Sequence, residues 1–210
     1  MNFVKEAYKV QSNTIIKNLE KRFMEGYYCE TKEEAVEKIL SIIEDGASVS
    51  WGGSMTLDEI GVKKQLDNKN LTIIDRDTAK SPEERTKLMK DALTCNYYLT
   101  STNAITMDGE LVNIDGNGNR VAAICFGPDN VIVVTGMNKV VANIDSAIDR
   151  VRTNACAPNN IRFNLQNPCS VTGKCGDCLN TSICGEILVT RLSKTKNRIK
   201  VILVGESLGF

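Results

Sequence analysis

Ala47-Ser-Val-Ser-Trp51-Gly52-Gly53-Ser54-Met55-Thr56-Leu57-Asp58-Glu59-Ile60 changes its periodicity within a few residues. The first part is short, β-prone and free of charge, as expected of a buried strand. The glycine pair punctuates it. From Thr56 the pattern is helical, with Thr56 and Glu59 spaced as a capping box and Leu57, Ile60 and Val62 supplying apolar positions. A strand that turns at once into a helix is half of a βαβ unit. The question is whether the flanking chain repeats it.

It does. Apolar positions at Phe3, Val4, Ala7, Val10, Ile15, Leu19 and Phe23 predict an N-terminal helix over residues 1–24, ended by Gly26 and followed by a short strand at Tyr27-Tyr28-Cys29. Thr31 and Glu34 open a second helix with Ala35, Ile39, Ile42 and Ile43 inward, stopped at Asp45-Gly46. Leu71 to Asp75 reads as a strand, and Ser81-Pro82 starts a helix with serine as N-cap and proline at N1. Alternating strand and helix is the signature of a parallel α/β sheet.

Beyond Asn96 the pattern changes. A strand runs into the polar loop Thr100-Ser-Thr-Asn103, and Asp108-Gly109 is a tight turn before the strand Leu111 to Ile114. Gly116-Asn-Gly-Asn119 marks another turn, Val121 to Phe126 is apolar, and Val131-Ile-Val-Val134 is a buried strand. An antiparallel hairpin segment therefore interrupts or extends the parallel sheet. Asn138 caps a helix bearing Val140, Val141, Ile144, Ala147, Ile148 and Val151, which fades near Ala155-Cys156-Ala157-Pro158. Strands at Glu186 to Leu192 and Ile199 to Val204, joined by a basic turn, close the chain. The expected fold is a three-layer α/β/α unit, mostly parallel, in one domain over residues 1–210.

The 26 basic and 26 acidic residues cancel, which argues against sequence-independent nucleic-acid binding. The N-terminus lacks the basic and apolar regions of a secretory signal, and no apolar run approaches the ~20 residues of a membrane span. The expectation is a cytoplasmic protein. Histidine is absent, so Ser-His-Asp triads and Cys-His dyads are excluded within this chain, and a soft metal would need thiolates.

Cys169, Cys175, Cys178 and Cys184 form a C-x5-C-x2-C-x5-C loop over residues 169–184. That stretch has little apolar mass, so a [4Fe–4S] cluster, zinc or disulfides would tie it down. The spacing matches neither a zinc ribbon nor the ferredoxin run, and free or redox-active thiols are the alternative. Cys29, Cys95 and Cys125 read as core thiols, and Cys156 as a spare. Gly52, Gly53, Ser54 and Thr56, between a strand and a helix, suit an approaching anion, although no nucleotide fingerprint is met and a plain turn has the same composition. Thr102, Asn103, Asp115, Asn119 and Arg120 are dense in hydrogen-bonding groups beside strand ends, where α/β folds place ligands. Arg120 could clamp a carboxylate or phosphate and Asp115 could orient it or move a proton, with Glu110 a weaker candidate. Ordinary turn chemistry is the alternative there.

The same residues carry a resemblance. Gly52-Gly53-Ser54, Ser101-Thr102-Asn103-Ala104-Ile105, Gly109 to Gly116, Asn119-Arg120-Val121-Ala122 and Phe126-Gly127-Pro128 are similar to the LUD-domain family of lactate-utilisation proteins. So are Val131 to Val134, Gly136, Asn138-Lys139, the cysteine loop with Thr172-Gly173-Lys174-Cys175, and Val201 to Glu206. The resemblance runs from about Asn13 to the end. It implies a fold like the CoA transferases and sugar-phosphate isomerases, and a redox or accessory part in oxidation of L-lactate or a related 2-hydroxy acid. The anion-suited residues add the expectation of a small carboxylate or phosphorylated ligand, and the clustered thiols that of a redox partner protein. A non-redox binding protein with a structural zinc knuckle, or an acyl- or CoA-transfer enzyme, are the alternatives.

Overall fold

The structure is a computed structural model and describes residues 2–176 and 178–210. Met1 and Asp177, within the expected helix and the cysteine loop respectively, lie outside the described residues. In chain order the first elements are α1 (Phe3–Lys21), β1 (Glu25–Cys29), α2 (Lys32–Ile42), β2 (Ser48–Trp51), α3 (Met55–Ile60), α4 (Val62–Leu66), β3 (Thr72–Ile74) and α5 (Pro82–Asp91). The middle of the chain forms β4 (Tyr97–Thr100), β5 (Ala104–Thr106), β6 (Leu111–Asp115), α6 (Asn119–Cys125), β7 (Asn130–Gly136) and β8 (Val140–Val141). Then follow α7 (Ile144–Arg150), α8 (Cys156–Arg162), α9 (Pro168–Thr172), β9 (Glu186–Thr190) and β10 (Ile199–Val204).

Six strands form a parallel sheet in the order β1-β10-β7-β4-β2-β3. A strand buried on both faces needs a run of apolar side chains, and Val131 to Val134 of β7 and Val201 to Val204 of β10 supply it. Ile132, Val134, Ile202 and Val204 pack with α2, α3 and α4 on one face. Val131, Val133, Val201 and Leu203 pack on the other face with Ile15 and Leu19 of α1 and Ile124 of α6. Each such side chain contributes roughly 1.5–3 kcal/mol on burial, so this double-sided stack is the main source of stability.

The Asp108-Gly109 turn joins β5 to β6 as expected, with Gly109 at φ +85°. The hairpin does not extend the parallel sheet, however. It forms a second sheet, β8-β5-β6-β9, that lies over the first. Ile105 and Leu111 face α1 and the first sheet, while Ala104 and Val112 face α7 and the segment beyond it. The closing strands separate accordingly. β9 pairs with β6, and β10 inserts between β1 and β7. A basic turn between two apolar strands suggests a hairpin, but the apolar character of β10 demands the centre of a sheet, not its edge.

Several local expectations are corrected by the structure. Gly26 lies inside β1, and Phe23, at φ +58°, makes the turn after α1. Thr56 is not the cap of α3: Ser54 Oγ accepts from Leu57 N at 3.3 Å, and Thr56 is buried inside the helix. Val121 to Cys125 is helical, because Asp115 satisfies amides at the start of α6 and Ala-rich sequence favours the turn. Cys125 at its end is exposed rather than in a core strand, whereas Cys95 is buried just before β4. Asn143, not Asn138, caps α7, since Val140-Val141 is taken up by β8. The helix does not fade at Ala155. A π-helical stretch, Val151–Ala155, leads directly into α8; Pro158 offers no amide to the preceding turn, and the helix is widened just before it. The capping expectations at Thr31 and Ser81 agree with the structure.

Candidate functional site

All six strands of the first sheet point the same way, so their carboxyl ends open on one side. The second sheet and α8 wall that side off. The result is a cleft of about 500 Å³. Gly53, Ser54 and Thr56 follow β2, Arg76 follows β3, Ser101, Thr102 and Asn103 follow β4, and Lys139 follows β7. Ile114 to Asn117, Asn119 and Arg120 come from the end of β6 and the start of α6, and Asn159, Arg162 and Phe163 from α8. This is the crevice at strand ends where open α/β sheets bind ligands.

The structure therefore brings Gly53, Ser54, Thr56, Thr102, Asn103, Asp115, Asn119 and Arg120 around one cavity. Gly52 is not among its lining residues. Glu110 is elsewhere: it accepts from Arg22 Nη2 at 2.9 Å and from Thr106 Oγ1 at 2.6 Å, clamping α1 to the β5–β6 turn.

Two anticipated roles change. Arg120 is committed to the protein itself. Its Nη1 donates to Asn113 Oδ1 at 2.9 Å and Ser101 O at 3.3 Å, and its Nη2 to Ile114 O at 2.6 Å and Asn103 Oδ1 at 3.0 Å. It is a strut between the β4–β5 loop and β6, contributing charge to the cleft but no unspent terminal N–H fork. Asp115 Oδ2 accepts from the amides of Arg120 and Val121 at 3.0 and 3.3 Å, so its first task is to begin α6.

The cation that sequence reading did not single out is Lys139. Its side chain is buried, and Nζ donates to Thr56 Oγ1 at 2.9 Å and Ser101 Oγ at 3.1 Å. Among the described residues no carboxylate lies within ion-pair distance of it. Burial, with the neighbouring Arg150 and Arg120 charges, lowers its pKa from 10.5 to about 7, against a weaker opposing pull from Glu59. The chain end reinforces the burial: Leu208 N donates to Asn138 Oδ1 at 3.1 Å, and Gly209 N to Glu59 Oε2 at 2.7 Å. A lysine placed just after an all-apolar buried strand is the signal that could have identified it.

Arg76 is a second unsatisfied cation. Its Nε is buried without a hydrogen bond, its nearest carboxylate oxygen is Asp77 Oδ1 at 3.8 Å, and Nη1 reaches only Met89 Sδ at 3.9 Å. Its guanidinium lies over Gly53, where a Cβ would come within 2.7 Å of Nη2. Arg162 stands at the exposed rim, stacked on Phe163 with 4.5 Å to the ring centre. The cleft thus sets four basic side chains against the carboxylate of Asp115, an arrangement suited to a small anion.

The four cysteines of the loop do not line the cleft, although Ile183 of the same loop does. Cys169 is buried in the first turn of α9, Cys178 and Cys184 are half-buried, and Cys175 is exposed. Cys169 and Cys184 share an apolar cluster with Cys156 of α8, whose Sγ is 3.5 Å from that of Cys184. Among the described residues no three Cys, Asp or Glu side chains already stand arranged to hold a metal ion.

These features define a two-sheet α/β protein with a basic crevice at its strand ends. The sequence matches the family described as LUD domain over residues 13–204, and the chain belongs to that family. A structure of a DUF162-family protein from Deinococcus radiodurans is similar, with a TM-score of 0.51 at 14% identity, covering 95% of this chain and 98% of that one. Ribose 5-phosphate isomerase A from Methanocaldococcus jannaschii shares a smaller part, with a TM-score of 0.36 at 14% identity over 63% of this chain and 62% of that one. The eIF2B delta subunit from Chaetomium thermophilum gives a TM-score of 0.36 at 16% identity, covering 56% and 50%. No curated protein matches the sequence significantly. Among the described residues no helix is long and apolar enough to cross a membrane.

Proposed function

We propose that the protein binds a small organic anion, a 2-hydroxy or 2-oxo acid of the lactate and pyruvate type or a phosphorylated analogue, as a redox or accessory component of 2-hydroxy-acid utilisation. One observation carries this reading: the Lys139 ammonium is buried at the cleft with hydroxyl partners and, among the described residues, no carboxylate within ion-pair distance. A buried charge without a counter-charge is costly, and an anionic ligand would supply the missing partner. Membership of the LUD-domain family supports an acid of the lactate class.

In this reading the ligand's carboxylate lies between Lys139 and Arg76, the two cations with unspent capacity. Thr56 and Ser101 hold the ammonium in place, Arg120 fixes the loop that carries Ser101 and Asn103, and Asn119 and Asn159 face the polar remainder of the ligand. Isothermal titration with L-lactate, pyruvate, inorganic phosphate and, as a chargeless control, lactamide tests it. Saturable binding of an anion and none of lactamide is expected. Absence of saturable binding for all three anions up to about 10 mM, a Kd weaker than any useful affinity, overturns it.

A further inference from the structure

We propose that Cys169, Cys175, Cys178 and Cys184 ligate one soft metal centre, zinc or an iron–sulfur cluster, and that this centre fixes the rear wall of the cleft. The coupling to the cleft rests on the anion reading above; the metal site does not.

Three placements gather the thiols. Asn167, the residue preceding α9, is buried and clasps the far end of the loop: its Nδ2 donates to Thr181 O at 2.9 Å and to Asn160 Oδ1 of α8 at 2.6 Å, and Thr181 Oγ1 donates back to it. The loop therefore begins and ends at one point, bringing Cys169 and Cys184 into the same cluster. Gly173, at φ +75°, ends α9 and turns the chain back. Gly176, directly after Cys175, then packs on Pro168, where a Cβ would stand 2.7 Å from the proline Cβ. The backbone next to Cys175 is thus folded back onto the residue next to Cys169.

Four thiols with no histidine and little apolar mass suit a thiolate-bound zinc or an iron–sulfur cluster, the two centres that take four cysteines. Ligation would draw the gathered thiols to bonding distance and stabilise a segment that has little core of its own. Cys156 is placed differently. It belongs to α8, and its Sγ, 3.5 Å from that of Cys184 in a shared apolar cluster, joins the centre to that helix.

The link to the cleft is short. Ile183, adjacent to Cys184, lines the cleft, and so do Asn159 and Arg162 of α8 and Phe163 at its end, with Asn159 one helical turn beyond Cys156. Binding metal at Cys184 therefore orders a cleft wall.

Anaerobic purification followed by zinc, iron and acid-labile sulfide analysis tests the site. About one zinc per chain without visible absorbance, or iron with matching sulfide and a broad visible band, supports it and separates the two centres. Loss of that metal in C169S and C178S, with retention in C156S, supports the ligand set. Metal-free protein both as purified and after reconstitution with zinc or with iron and sulfide overturns the site, as does an intramolecular disulfide within the loop. Retention of metal in C169S and C178S overturns the ligand set. Anion titration on metal-loaded and chelator-stripped wild type, with far-UV circular dichroism to confirm folding, reads the coupling. A severalfold weaker Kd in the stripped protein is expected; equal affinities overturn the coupling while leaving the metal result standing, and absent anion binding in both forms counts against the anion reading alone.

Discussion

Lys139 Nζ stands 2.9 Å from Thr56 Oγ1, tying the end of one central strand to the helix that follows another, 83 positions away in the chain. The contact is made by a charged group with no carboxylate within ion-pair distance among the described residues. K139M removes that charge while keeping most of the side-chain volume. The ligand-free variant should be more stable than wild type at pH 6, on the order of 1–3 kcal/mol, because an uncompensated buried charge is gone. Its anion affinity should fall about 10–100-fold, equivalent to ~1.4–2.8 kcal/mol. Thermal melts with and without ligand, and titration, check both directions.

The pH dependence follows from the same group. Lys139 has a folded pKa of about 7 against an ordinary value of 10.5, so between these limits the unfolded chain binds more protons than the folded one. Stability should therefore rise with pH from about 7 towards 10.5, and the full penalty should be present below 7. Anion binding should run the other way, weakening as pH rises through 7, since the ammonium is what the ligand needs. Urea melts and titrations from pH 6 to 9 on wild type and K139M separate this lysine's share from that of other groups.

R120A should be a stability variant more than an affinity variant. Removing the guanidinium takes the Arg120 donor from Asn113 Oδ1 and Ile114 O, and leaves Asn103 Oδ1 with only Ile114 N and Ser101 O with only Thr100 Oγ1. Stranding buried acceptors of this kind costs about 2–4 kcal/mol. R120K should recover only part of it, because one ammonium cannot span both the loop and β6. Chemical denaturation of the three proteins gives the ordering.

G53A should have the opposite profile. The added methyl group meets only the far end of Arg76, which can swing aside, so the fold should lose under about 1 kcal/mol. Displacing the guanidinium should weaken anion binding severalfold, and G53A combined with R76Q should be no weaker than R76Q alone. A double-mutant cycle read by calorimetry checks this.

N167A should open the cysteine loop selectively. The amide joins α8, α9 and Thr181 from a buried position, so its removal should release residues 178–184 while the parallel sheet stays protected. Hydrogen exchange should show faster exchange in that segment and in α9, with β7 and β10 unchanged.

Much of the fold was legible locally. The β2 strand and its glycine turn, the caps at Thr31 and Ser81, the Asp108-Gly109 hairpin and the apolar runs of β7 and β10 are signals carried by adjacent residues. Thr56 and Asn138 misled for a physical reason. Each has capping chemistry, but a helix begins where the backbone departs from the strand, and the nearer Ser54 and the later Asn143 occupy those points. Val121 to Cys125 is an apolar run of strand length, yet Asp115 holds the amides of Arg120 and Val121 and the segment is helical.

By itself the sequence determined the alternation of strand and helix, the parallel core, the family resemblance and the concentration of thiols in one loop, because periodicity, capping and spacing are local properties. The tertiary structure alone decided the strand partners, the separation of the hairpin and β9 into a second sheet, the commitment of Arg120 to the frame, and the burial of Lys139 at the cleft. Those outcomes depend on which distant surfaces exclude water together. A lysine's charge state and an arginine's free hydrogen-bonding capacity are set by what surrounds them, and that is fixed only when strands far apart in sequence end side by side.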